Sequence, residues 1–139
     1  MESLLDRNKL AVQRFNQEVI ADGNEASFHD LMDEHFVNHS APPGADNGPA
    51  GMWHTFQHVL RPALADLRVH IHAQVAEGEV VTTRKTITGT HTGPLLGIPP
   101  TGQPVAIDVL DMVRLRDGKY VEHWGLNTLA AVLAHLRQQ

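Results

Sequence analysis

The stretch Val105 to Asn127, VAIDVLDMVRLRDGKYVEHWGLN, constrains the chain more than any other. Val105, Ile107, Val109, Val113 and Leu115 alternate with mostly polar neighbours, the period of a strand with one buried face. Asp117-Gly118 follows as a turn, and Tyr120 to Asn127 reads as the returning strand. Asp111 falls on the apolar side of the alternation. A carboxylate among valines must be paired, protonated or catalytic, because burying it alone costs too much.

The rest of the chain supplies the setting. Its 139 residues suit one domain over 1–139, long enough for a core. A net charge of −5 argues against a broad nucleic-acid surface, which needs clustered Lys and Arg. Without cysteine there is no disulfide and no thiolate chemistry, which suits the cytoplasm. No apolar run is long enough to span a membrane. Glu2 and Asp6 stand where a signal peptide would be basic.

Helical spacing runs from about Leu4 to Ala21 and stops at Asp22-Gly23-Asn24. A short helix follows from Glu25 to about Met32, then an extended piece from Phe36 to His39. Ala41 to Gly48 can only be a loop. A second long helix spans Pro49 to Leu64, with a kink or early end expected near Pro62. After Leu67 the period becomes two, and strands are expected to about Val75 and from Val80 to Thr90. Gly93 to Pro104 is a loop, and a helix from Leu129 to Leu136 closes the chain. Helices first, then antiparallel strands, then a helix is an α+β pattern, with helices packed on one face of a curved sheet that leaves a pocket at one end.

Turn geometry assigns faces. A two-residue turn near Gly78 pairs Val75 with Thr82 or Val80. This predicts that Thr82, Arg84, Thr86 and Thr88 face the core with Val69, Ile71 and Val75. A buried Arg needs an acid, so an Arg84–Asp111 pair is expected. The last strand stays open on its residues. A two-residue turn at Asp117-Gly118 pairs Asp111 with Trp124 and turns Glu122 inward. A three-residue turn pairs Asp111 with His123 and puts Val121 and Gly125 on one side.

Asp111, Arg84 and His123 are the candidate catalytic cluster, a carboxylate, a cation and an imidazole in an apolar pocket. His39 beside the proline loop, His91, Thr86, Trp53 and Asn127 are the candidate ligand contacts. His54 and His58 lack the Glu a zinc-protease helix needs, and His70 and His72 share a polar strand face, so no metal site is expected. The Gly/Pro loops lead into a strand rather than a helix, which argues against phosphate binding. With Tyr120 as the one tyrosine, a Tyr-based oxyanion hole is not expected either.

Over nearly its whole length the chain resembles the SnoaL-like polyketide cyclase family, within the nuclear transport factor 2-like superfamily. The resemblance rests on Asn8-Lys9, Val12 and Phe15, on Val37-Asn38-His39 before the Pro/Gly loop, and on Gly51 and Phe56. It continues through Arg61 to Leu67, Ala76 to Val81 with Arg84, Gly89 to Gly93, Gly97 to Gly102, Asp111 to Arg114, Asp117 to Lys119 and Glu122-His123-Trp124. It implies an α+β cone, with a curved mixed sheet over helices, a homodimer, and a hydrophobic pocket for a small, often polycyclic ligand. It also implies cofactor-independent ring closure by intramolecular aldol condensation, with an Asp directly after the segment matching Glu122-His123-Trp124 as base.

At that position this chain has Gly125. Asp111 stands where such cyclases place a supporting His, and Thr128, beside Asn127, where many relatives carry a further Asp. Asp111 is therefore the replacement base expected here, assisted by His123 or His91 and held by Arg84. Because both cyclase positions line one cavity, the resemblance favours the three-residue turn and an inward His123. The alternatives are a non-catalytic pocket protein and an epoxide hydrolase on the same fold, whose chemistry needs two carboxylates and an Arg around one water.

Overall fold

The computed structural model describes residues 2–138. Helix α1 (Leu4–Arg14) is capped by Ser3, whose side chain accepts from the Asp6 amide, and runs on into a wider π-type segment, Phe15–Ala21. Helix α2 (Glu25–Leu31) follows, capped by Asn24. Strand β1 (Met32–Asn38) starts earlier than the expected Phe36. After the loop, α3 (Pro49–His54), a second π-type segment (Thr55–Leu60) and the one-turn α4 (Arg61–Ala63) form a continuous run. The helix therefore passes Pro62 and ends only at Ala63. Strands β2 (Leu64–Glu77), β3 (Val80–His91), β4 (Pro104–Arg116) and β5 (Lys119–Asn127) lead to the closing helix α5 (Leu129–Arg137).

The five strands form one curved, unclosed sheet in the order β1-β5-β4-β3-β2. It is mixed, because β1 lies parallel to β5 and every other pair is antiparallel. Two apolar clusters cover its concave face. One gathers Val12, Phe15, Val19, Phe28 and Phe36 against Val81, Val113 and Tyr120, with Phe15 stacked on Tyr120 at 4.3 Å between ring centres. The other gathers Leu60, Leu64, Ile87, Leu95, Val105, Ile107 and Leu136. Along β3 the two are separated by Thr83 and Lys85, and along β4 by Asp111.

Two bulges decide which side chains reach that face. Val75 pairs with Thr82, as turn geometry predicted, but the pairing shifts by one residue between Ile71 and Ala73. Ile71 then lies opposite Lys85, and Ala73 opposite Arg84. One extra residue reverses the faces of a strand whose side chains have period two. Val69 and Ile71 lie on the core side as expected, but the expected β3 members and Val75 are inverted: Val81, Thr83, Lys85 and Ile87 are buried, Arg84 is exposed, and Val75 is 66% exposed.

The second bulge lies between Arg114 and Leu115. The hairpin turn is the two-residue one, with Asp117 (φ 53°) and Gly118 (φ 75°) both left-handed, and Arg116 pairs with Lys119. Past the bulge, Val113 pairs with His123 and Asp111 with Gly125. Neither pairing expected for Asp111 holds. The bulge does what a longer turn would have done, placing His123 and Gly125 on Asp111's face and Glu122 on the other.

Candidate functional site

Five polar side chains cross the concave face in a line. Asn16 is the second residue of the first π-type segment, a distortion that often re-aims a side chain at functional sites. Its Nδ2 donates to the Val12 carbonyl at 2.8 Å, and its Oδ1 accepts from Lys85 Nζ at 2.6 Å. Lys85 Nζ lies 3.4 Å from Asp111 Oδ2, and His123 Nε2 approaches the same oxygen at 3.4 Å. On the far side of the ring, His123 Nδ1 is 2.8 Å from Asn38 Oδ1. Asp111 and Lys85 are only 6% and 5% exposed, and the His123 side chain 17%.

The electrostatics follow from this placement. Burial pushes the Asp111 carboxyl up, but the Lys85 ammonium and the His123 imidazole more than offset it and hold the group below its ordinary value. Burial drives the Tyr120 phenol upward, and the Asp111 charge adds to that. The carboxylate is used unevenly. Oδ2 faces Lys85 and His123, whereas Oδ1 is buried with no hydrogen-bond partner. A buried acceptor left open is costly in a native structure and asks for an explanation.

Gly125, opposite Asp111, makes the His123 contact possible. A Cβ there would lie 2.9 Å from His123 Cε1, 3.2 Å from Nε2 and 3.5 Å from Asp111 Cβ. The imidazole occupies the space a side chain at 125 would need.

A groove of about 400 Å3 adjoins the line, bordered by Gln13, Asn16, Gln17, Val69 and Ile71. Asn16 is bonded to Lys85, and Ile71 is the strand partner of Lys85, so the groove ends beside the ammonium. A second cleft of similar size lies between residues 97–101 and Leu136 and Arg137 of α5.

Of the residues expected to act together, the structure unites Asp111 with His123. The expected Arg84–Asp111 pair is corrected to Lys85–Asp111, because the β2 bulge turns Arg84 to the convex face. Thr86 lies on that face too, bonded to His72 Nε2 (2.8 Å) and donating to Asp108 Oδ1 (2.8 Å). His39 is turned away from Asp111: it bonds Glu122 at 2.7 Å and stacks on Trp124 at 4.9 Å. Its neighbour Asn38 is the member of that motif that reaches the site. Asn127 accepts from the Leu129 amide at the start of α5, and Trp53 packs on Phe28.

His91 lies eight positions along β3 from Thr83, the strand partner of Asp111, or roughly 27 Å at strand rise. It is fully buried, with Nδ1 bonded to Thr101 and Nε2 unpartnered. It is therefore too distant to assist Asp111. The carboxylate–Arg set of an epoxide hydrolase does not assemble either, since Arg84 and Asp108 are exposed on the convex face. Among the described residues no group of three His, Asp or Glu converges as a metal site, and no helix is long and apolar enough to cross a membrane.

Sequence reasoning missed Lys85, Asn16 and Asn38. Asn16 had a signal, since it stands one helical turn after Val12 on the apolar stripe of the first helix. Lys85 had none, because its orientation depends on a bulge.

The sequence model of the SnoaL-like polyketide cyclase family matches residues 10–136. No curated protein matches significantly. Among solved structures, the chain is similar to IdmH of Streptomyces antibioticus, described as a candidate polyketide cyclase, with 28% identity, TM-score 0.80, and 94% of this chain and 98% of that one covered. It is also similar to a candidate SnoaL-like polyketide cyclase of Jannaschia sp. CCS1, with 27% identity, TM-score 0.82 and coverage of 98% and 95%. TsrD of Streptomyces laurentii shares the fold at 21% identity and TM-score 0.83, with 94% and 95% covered.

Proposed function

Because the chain belongs to the SnoaL-like polyketide cyclase family, we propose that it acts on a small hydrophobic carbonyl compound as a cofactor-independent cyclase of the aldol type, with Asp111 as base. The observation that carries this reading is the unpartnered Oδ1 of Asp111. Oδ2 faces the Lys85 ammonium and the His123 ring, so Oδ1 is the carboxylate oxygen left free in the cluster.

In this scheme Oδ1 takes an α-proton, the C–H electron pair becomes an enolate, and the Lys85 charge stabilises it. The enolate carbon attacks a second carbonyl of the same molecule. The new alkoxide recovers the proton from Asp111, so the step needs no co-reactant. The substrate enters from the groove at Gln13, Asn16, Gln17, Val69 and Ile71, where release of Asn16 from Lys85 opens the way to the carboxylate.

The test begins with native mass spectrometry of the purified protein to identify what it carries, followed by turnover of that compound. Asp111→Asn should lower kcat by roughly 10²–10⁴-fold, the usual range for loss of a general base. Full turnover by that variant would overturn the assignment. The sealed position of Asp111 favours one other reading, a non-catalytic binding protein whose buried ion pair is structural. Tight binding without turnover in wild type would establish it.

The same proposal includes a homodimer in the cytoplasm. The convex face exposes Leu110, Met112, Trp124 and Leu126 on the adjacent strands β4 and β5. Arg84 and Asp108 flank them with opposite charges, which a second copy related by a two-fold axis can pair. A monomer by light scattering at micromolar concentration would remove the dimer from the proposal.

A further inference from the structure

We infer that Asn38 is a positioning residue, which holds Nδ1 of His123 protonated and fixes the ring orientation, so that the Nε2 edge is turned to Asp111 Oδ2 and Oδ1 is left as the free base. This deepens the reading of Asp111 as base and rests on it.

One hydrogen-bond donor at this junction cannot change its role. The backbone N–H of Ser40 lies 3.0 Å from Asn38 Oδ1, and a backbone amide only donates. The Asn38 side-chain atom at this junction is therefore the oxygen, not the amide nitrogen. His123 Nδ1 lies 2.8 Å from that same oxygen. Two acceptors would not approach so closely, so Nδ1 carries a proton and donates it. The ring nitrogen left to face Asp111 is Nε2, at 3.4 Å from Oδ2.

The backbone around Asn38 is built to hold this arrangement. Asn38 is the last residue of β1 and pairs directly with His123 of β5 in the parallel register. Its own amide donates to the Asn47 carbonyl at 2.7 Å, and the His39 amide donates to the His123 carbonyl at 2.8 Å. Ser40 Oγ donates to the Gly125 carbonyl at 3.1 Å and accepts from the Gly125 amide at 2.7 Å. The chain leaving β1 is thus clamped to β5 at His123 and Gly125. Gly125 supplies the space into which the ring is held.

The consequence is chemical. With Nδ1–H committed to Asn38, His123 cannot turn its other edge to the carboxylate without losing a hydrogen bond. Lys85 and Nε2 then both address Oδ2, and a substrate proton can go only to Oδ1. This is the orienting role that a fixed partner plays for a functional imidazole in general.

The test uses the full-length protein with 15N-labelled histidine rings and no substrate. His123→Gln identifies the His123 signals by their disappearance. In wild type Nδ1 of His123 should show the shift and one-bond coupling of a protonated nitrogen. Asn38→Leu should abolish that preference, and Asn38→Asp, which keeps an acceptor for both Ser40 and His123, should restore it. A lone-pair nitrogen at Nδ1 in wild type would overturn the inference without any variant. An Asn38→Leu spectrum identical to wild type at His123 would overturn it as well. Where turnover is measurable, Asn38→Leu should lower kcat with little change in KM, and Asn38→Asp should recover it. The base assignment fails separately, through full activity of Asp111→Asn, and that result would leave the ring-nitrogen outcome standing.

Discussion

The two faces of the sheet carry similar residues in opposite circumstances. On the concave face Lys85, Asp111 and His123 form a compact buried cluster. On the convex side and its edge, His39, Glu122, Arg114, Glu79 and Arg116 form a larger network in contact with water. There the hydrogen bond from His39, with that of Arg114, holds the Glu122 carboxyl below its ordinary value, yet solvent screens every member. The difference between the faces is solvation rather than composition. A buried ion pair loses hydration that its attraction must offset, so removing one partner exposes the whole cost, whereas a surface pair loses little when broken.

The sharpest way to break the comparison is Lys85→Met. It leaves Asp111 buried beside one imidazole and should cost about 3–5 kcal/mol in urea unfolding. A loss as small as that of a surface substitution would mean the two faces do not differ in the cost of an unpaired charge.

Acid should find the same asymmetry. The Asp111 carboxyl is depressed on folding, so its contribution is complete above the unfolded value of about 3.9 and is lost as pH falls through the lower folded value. Wild type should therefore lose thermal stability below about pH 4 more steeply than Asp111→Asn. Parallel melting curves for the two proteins would contradict this.

Gly125→Ala sharpens the geometry, since its Cβ must displace the His123 ring. The ring can swing aside, so the expected cost is about 1–2 kcal/mol, within the range for overpacking. The His123 ring resonances should shift with it, and unchanged resonances would show that the ring does not need that space. The smallest effect belongs to the convex face. Arg84→Ala, at an exposed strand position, should stay within about 0.5 kcal/mol of wild type by the same unfolding measurement.

Much of the architecture was legible from local chemistry. The helix-then-strand order, the proline loop, the Asp117-Gly118 turn and the closing helix all follow from periodicity and turn residues. So did the burial of Asp111, because a carboxylate in phase with Val105, Ile107, Val113 and Leu115 has nowhere else to point. The partner was misread through an argument that was locally correct. Val75 does pair with Thr82, but the extra residue between Ile71 and Ala73 carries Arg84 outward and Lys85 inward. In β5 the extra residue Val121, opposite Arg114–Leu115 of β4, brought His123 to the expected face through an unexpected turn.

By itself, then, the sequence determined the fold class, the elements and the presence of one carboxylate on an apolar strand face. It could do so because backbone preference and hydrophobic period are properties of short stretches. Tertiary structure alone decided that Lys85 rather than Arg84 meets that carboxylate, that Asn38 rather than His39 reaches the site, and that Gly125 makes room for an imidazole. Each of these turns on strand register, which one bulged residue inverts and which depends on how the whole sheet packs against its helices.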